Sequence, residues 1–251
     1  MRLSPLLLLL SFAAALRVAV VGDAGETTPA QKAAFDEIHA LQPDLVLALG
    51  DNFYEWGLDH VDPSEEERVW GALAPLRILG VLGNHDHRGD PAAQSFLVPA
   101  PFYERELAPG VQLLALDTTT LFFGNHPEPQ WRWLEAALSK APAPKWRVVI
   151  GHHPLHSATK HCDEKRGPKD RLDRMLEDAR VDIYLAGHTH CYERCHGNST
   201  QHIIVGSTAR LNSIRRVCPW EHSCTARHDQ GWLLLNVTPT GLHSEFHRVN
   251  V

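Results

Sequence analysis

Short apolar runs alternate with amphipathic stretches from residue 17 to the C-terminal region. The runs at 17–21, 45–49, 77–82, 111–116, 147–150, 182–186, 202–205 and 232–237 are rich in Val, Ile and Leu and are bounded by Gly, Asp or Pro. That pattern predicts short buried strands. Stretches 29–41, 63–73, 91–96, 129–139 and 168–179 are amphipathic and predict helices. Thr28-Pro29, Asp62-Pro63 and Asp90-Pro91 each set a capping residue directly before a proline, a helix-start signal. With no internal repeat and no long low-complexity linker, this order predicts one α/β domain.

Composition adds little until the ends of the chain are considered. The 251 residues are 43% hydrophobic, enough for one large core. Arg2, the apolar stretch 6–10 with Phe12, and the small residues Ala13 and Ala15 predict a secretory signal peptide over 1–15, leaving a folded domain at 16–251. Arg17 interrupts the apolar stretch before the roughly 18 residues a membrane span needs, so no stable membrane anchor is expected. The sequons at Asn198 and Asn236 agree with passage through the secretory route, to a secreted or lysosomal/vacuolar destination. That route permits disulfides among Cys162, Cys191, Cys195, Cys218 and Cys224. Cys218 with Cys224 is one candidate pair and Cys191 with Cys195 another; one thiol is left over. A net charge of −6 argues against a nucleic-acid partner. The 17 histidines would carry more positive charge at acidic pH, which suits phosphate anions.

The chemistry sits where the apolar runs end. Five patches follow predicted strands: Gly22-Asp23-Ala24-Gly25, Gly50-Asp51-Asn52-Phe53-Tyr54, Gly83-Asn84-His85-Asp86, Gly151-His152-His153-Pro154 and Gly187-His188-Thr189-His190. Ligands of open α/β sheets bind beyond the carboxyl ends of the strands, so five such loops can share one rim. Asp offers hard oxygen ligands, and one carboxylate can bridge two metals. Asn84 offers a neutral amide oxygen. His188 and His190, separated by one residue on an extended segment, would point the same way and reach two neighbouring metals. His85 reads as a residue that either supports the metal ligands or contacts phosphate, with Asp86 a candidate to hold its imidazole.

In this order the patches resemble the calcineurin-like metallophosphoesterases, and Tyr54 in the second patch resembles the purple acid phosphatases, especially the tartrate-resistant type. Pro101-Phe102-Tyr103, Leu116-Asp117-Thr118 and the stretch from Gly151 to Cys162 add to the similarity. The resemblance implies a four-layer α/β/β/α sandwich of two mixed sheets. It implies a ferric ion, Fe(III), on Asp23, Tyr54 and His190, and a divalent ion (Fe, Zn or Mn) on Asn84, His152 and His188, with Asp51 bridging. It also implies hydrolysis of phosphate monoesters by a metal-bound hydroxide, with His161 and His85 contacting phosphate or protonating the leaving group. Small phosphate monoesters or phosphoproteins are the expected substrates of a chain acting as a monomer. The alternatives are a phosphodiesterase or nucleotide pyrophosphatase of the same superfamily, or an iron-redox protein that makes reactive oxygen species. The first motif lacks the Trp often found there, the stretch before Pro101 is short, and residues 210–227 match nothing in the family.

Overall fold

The computed structural model describes residues 15–159, 166–212 and 224–251. The chain runs β1 (Leu16–Val21), α1 (Pro29–Leu41), β2 (Leu45–Ala48), α2 (Pro63–Trp70), β3 (Ile78–Gly80), β4 (Tyr103–Ala108), β5 (Val111–Ala115), α3 (Thr118–Phe123), α4 (Glu128–Leu138), β6 (Trp146–Ile150), α5 (Arg166–Asp178), β7 (Ile183–Ala186), β8 (Tyr192–His196), β9 (Gln201–Val205), β10 (Cys224–Arg227), β11 (Gly231–Val237) and β12 (Leu242–Arg248). One sheet has the order β12-β11-β1-β2-β3 and the other β10-β8-β9-β7-β6-β5-β4. Both are mixed: β1, β2 and β3 are parallel, as are β5, β6, β7 and β9, with antiparallel strands outside them.

The period of two along each strand builds the layers. Val18 and Val20 of β1 face the core between the sheets with Leu47, Leu113, Val148, Ile150, Ile203 and Leu233. Ala19 and Val21 face the other way, against Phe35 and Ile38 of α1 and Trp70 of α2. In the second sheet Leu114, Val149 and Tyr184 turn toward Trp131 and Leu134 of α4 and Leu172 and Leu176 of α5. The result is an α/β/β/α sandwich whose central strands are covered on both faces, which is why they read as unbroken apolar runs. Each fully buried aliphatic side chain contributes about 1.5–3 kcal/mol.

Helix starts follow the capping signals. Thr28 accepts from the Gln31 amide, Asp62 from those of Ser64 and Glu65, and Asp90 from that of Ala92. The stretch predicted as a helix at 63–73 is α2 followed by a 3-10 turn at Gly71–Leu73, and the one at 91–96 is only a 3-10 turn, Pro91–Gln94. The apolar pattern did not announce β4, β8, β10 and β12. Three of them, β4, β10 and β12, are sheet edges, and sequences such as YERELA and LHSEFHR carry the charges that keep an edge from pairing further.

The cysteine pairing differs from expectation. Cys195 and Cys224 form a disulfide, because antiparallel β8 and β10 place them directly opposite. Cys191 is a buried free thiol, so Cys191 and Cys195 do not pair, and Cys224 is not bonded to Cys218. Cys162, Cys218 and His161 lie outside the described residues, as does the expected signal segment through residue 14. Asn198 is exposed in the turn between β8 and β9, whereas Asn236 is half-buried on β11. No helix among the described residues is long and apolar enough to cross a membrane.

Candidate metal centre

The loops after β1, β2, β3, β6 and β7 meet at one rim, where the carboxyl ends of the parallel strands of both sheets come together. The backbone there is unusual. Asp23, Asp51 and His188 all have positive φ, at 55°, 52° and 67°. A left-handed conformation costs a non-glycine residue about 1–3 kcal/mol and gathers at functional sites. Gly50, also at positive φ (87°), lies so close to His152 that a Cβ there would fall 2.7 Å from Nδ1.

The seven residues expected to be ligands form two groups joined by Asp51. In the first, the Tyr54 hydroxyl lies 3.0 Å from Asp23 Oδ1, 3.1 Å from Asp51 Oδ2 and 3.1 Å from His190 Nε2. His190 Nε2 is 3.2 Å from Asp23 Oδ1. In the second, His152 Nε2 lies 3.1 Å from Asn84 Oδ1, 3.2 Å from His188 Nδ1 and 3.4 Å from Asp51 Oδ1. Asp51 thus turns one oxygen to each group. Asp23 and Asp51 are almost fully buried, at 0% and 2% exposure.

The surroundings hold these atoms in place. The other Asp23 oxygen accepts the His188 amide at 2.7 Å. His152 Nδ1 lies 2.8 Å from the Leu49 carbonyl, to which it donates, so Nε2 is the nitrogen turned toward the Asn84 oxygen. Either a proton or a metal ion on Nε2 satisfies that 3.1 Å contact. Burial works to lower the pKa of His152, yet the carboxylates of Asp51 and Asp23 raise it overall. Burial likewise works to raise Asp23, and the neighbouring imidazoles, His190 first, hold it below the ordinary value. Burial, then Asp23 and Asp51, pushes the Tyr54 phenol far above its ordinary range. The pocket therefore calls for cations, and its set of carboxylate, phenol, amide and imidazole donors fits a pair of hard or borderline metal ions.

Two local expectations are corrected. The His188–His190 segment is a bend and not an extended strand, with Thr189 donating its amide to Gly187 at 2.7 Å. The left-handed turn at His188 sends the two imidazoles into different groups. Asp86 does not hold His85. It is fully buried and accepts from the amides of Gly83 (2.7 Å), Asn52 (2.9 Å) and Phe53 (3.2 Å) and from Gln94 Nε2 (2.9 Å). It therefore braces the Asp51 loop against the Asn84 loop. His85 Nδ1 lies 2.7 Å from the Glu55 carbonyl, its ring packs edge-on to Tyr54, and its Nε2 is 3.9 Å from Asp51.

Sequence reasoning missed further parts. The Thr118 hydroxyl accepts the amides of His152 (3.1 Å) and His153 (3.0 Å). His87 lies 3.0 Å from Asp117, and the Leu116-Asp117-Thr118 resemblance was the only pointer to that corner. Arg210, in the stretch that matches nothing in the family, stacks 4.0 Å above the Tyr54 ring and pairs with Glu26 and Glu55. A lone Arg in an unmatched loop carries no signal of its own.

A two-sheet α/β sandwich with paired oxygen and nitrogen donors on its rim defines the class of dinuclear metallophosphoesterases. The family profile for calcineurin-like phosphoesterases matches residues 16–192. Purple acid phosphatase 17 of Arabidopsis thaliana is 31% identical over 60% of this chain and 53% of its own length. Tartrate-resistant acid phosphatase type 5 of Homo sapiens is 30% identical over 70% of this chain and 67% of its own. The chain thus spans only about half of some relatives and about two thirds of others. Among solved structures, the yellow lupin purple acid phosphatase PPD1 shares the fold, with a TM-score of 0.72 at 16% identity, covering 94% of this chain and 52% of that one. GAP50, the anchor in the inner membrane complex of Plasmodium, does so with a TM-score of 0.81 at 20% identity, over 94% and 85%. The chain belongs to the calcineurin-like phosphoesterase family, on its purple acid phosphatase branch.

Proposed function

We infer that this protein is a secreted acid phosphatase that hydrolyses phosphate monoesters with an Fe(III)–M(II) pair, M being iron, zinc or manganese. The observation that carries the reading is the Tyr54 hydroxyl, set within 3.1 Å of two buried carboxylates and an imidazole. In that place a phenol cannot ionise unaided, since burial and both carboxylates oppose it. A strongly Lewis-acidic ion would hold it as phenolate, which favours ferric iron over a purely divalent pair. Asp23, Tyr54 and His190 would hold that ion, Asn84, His152 and His188 the divalent one, and Asp51 would bridge.

A bound metal pair would supply an activated water and neutralise charge on the phosphate oxygens. The chain's own residues do the rest. Asp51 fixes the spacing of the two groups, because its oxygens serve both. Leu49 sets the His152 tautomer through its carbonyl. His85 stands at the rim, partly exposed, where its imidazole can meet phosphate. His161 is proposed as the acid that protonates the departing alcohol. The signal at 1–15, the domain at 16–251, glycans on Asn198 and Asn236, monomeric action and small phosphate esters or phosphoproteins as substrates belong to the same proposal.

Metal analysis with a visible spectrum is the test. Purified protein should carry iron and show a phenolate charge-transfer band, and Tyr54→Phe should abolish the band while the protein stays folded. A colourless wild type holding only zinc or manganese would move the reading to a divalent metallophosphoesterase.

A further inference from the structure

We propose that His156, Asp173 and His202 form a separate binding site for one divalent cation of borderline character, such as zinc, which ties the loop carrying His152 to α5 and β9. This site is distinct from the rim described above and does not depend on its chemistry.

The three residues come from different elements. His156 lies in the loop after β6, Asp173 on the inner side of α5 and His202 on β9. Along β9, Ile203 and Val205 face the core between the sheets, so His202 points the other way, toward α5. A strand covered on both faces normally carries an aliphatic side chain there. His202 is instead an imidazole at 2% exposure, and neither ring nitrogen has a hydrogen-bond partner among the described residues. Buried polar groups are ordinarily satisfied, so this one calls for an explanation.

A simple hydrogen-bond network explains only half of the arrangement. His156 Nε2 lies 3.0 Å from Asp173 Oδ1, a normal contact for a donor and a carboxylate. His202 Nε2 stands 3.5 Å from the same oxygen, turned toward it but not bonded. The two imidazole rings meet at 4.6 Å and 73°. All three ligand atoms lie within 4.8 Å of one another. Zinc bonds of about 2.0–2.2 Å in a tetrahedron put neighbouring ligand atoms about 3.3 Å apart. The separations of 3.0 and 3.5 Å fall on either side of that value.

The donor set and its setting also suit a cation. Two imidazoles and a carboxylate form a ligand set for a borderline divalent ion. Burial, then the neighbouring His156, lowers the His202 pKa to about 4, so its ring is neutral and its lone pair available near neutral pH. The His156 and Asp173 side chains keep 26% and 27% exposure, so the cluster is not sealed from solvent. Glu177, one turn along α5, is already engaged by the amides of Asn198, Ser199 and Thr200, so it does not compete for the ion.

The test counts metal in the whole protein. Wild type and His202→Phe, which keeps an aromatic ring, though a somewhat larger one, and removes both ring nitrogens, are dialysed against micromolar free zinc and analysed by mass spectrometry. Wild type should hold one more zinc per chain than the variant, whatever metals the rim carries, and turnover of an aryl phosphate should be the same in both. Zinc should also raise the melting temperature of wild type more than that of the variant, which keeps only the rim sites. Should His202→Phe fail to fold, His156→Ala and Asp173→Asn change partly exposed positions, and each should weaken binding of the extra zinc more than tenfold. Equal zinc content in wild type and a folded variant would overturn the proposal, as would a wild type that takes up no extra ion.

Discussion

Asp86→Asn tests whether a buried carboxylate braces the rim, and its effect should depend on pH in a way that can be worked out. Burial, then the charge of Asp51, raises the Asp86 carboxyl from an ordinary 3.8 to about 6 in the metal-free fold. The folded state therefore favours the protonated form. The stability tied to that proton is fully present below pH 3.8 and is lost as pH rises through about 6. At about 1.4 kcal/mol per pH unit, the charged form costs the fold about 3 kcal/mol at neutral pH. Asparagine removes this cost but turns an NH2 toward a neighbour that is itself a donor. If its oxygen serves the amides of Asn52 and Phe53, its nitrogen faces the Gly83 amide across 2.7 Å. One buried donor without an acceptor costs about 1–3 kcal/mol. In metal-stripped protein, urea unfolding followed by tryptophan fluorescence should thus find Asp86→Asn less stable by about 1–3 kcal/mol at pH 4 and equal to wild type or up to about 2 kcal/mol more stable at pH 7. Asp86→Ala leaves all the donors without an acceptor and should be the less stable variant at both values. A difference between Asp86→Asn and wild type that did not move with pH would refute the reasoning.

Other outcomes follow from the same geometry. Asp51→Asn should lower occupancy of both metals and Asn84→Ala mainly that of the divalent ion, as counted by elemental analysis; two full sites in Asp51→Asn would remove it from the bridging role. Arg210→Gln should shift the Tyr54 charge-transfer band without changing metal content, because it removes a cation 4.0 Å above the ring; an unmoved spectrum would show that the guanidinium does not act on the phenolate. His161→Ala should leave metal and colour in place and cut turnover by roughly 10²–10⁴-fold, most for alkyl phosphates, whose leaving groups need the proton; an equal loss for aryl phosphates would indicate positioning instead. Secreted protein should begin near Leu16 and carry glycan at exposed Asn198, as N-terminal sequencing and a glycosidase shift would show; a retained Met1 would count against the signal peptide.

What could be read from the chain alone was whatever depends on neighbours in sequence. The two-sided burial of the central strands appears as apolar runs, and the caps at Thr28, Asp62 and Asp90 announce the helix starts. Donor residues just beyond the strands show because strand ends and turn glycines are local features. The edge strands β4, β10 and β12 stayed hidden, since a strand paired on one side only has no need of an apolar run. Tertiary structure decided the rest, because it rests on contacts between residues far apart in the chain. The register of β8 against β10 chose Cys195 and Cys224, although Cys218 lies nearer to Cys224 in sequence. A left-handed turn at His188, and not the expected extended segment, carries the two histidines to the two ligand groups that the sequence had already assigned them. Asp86 became a brace and not a partner of His85, because the amides of two neighbouring loops converge on a carboxylate shut away from water. Packing of α5 on β9 likewise joined His156, Asp173 and His202, three residues that no local pattern relates.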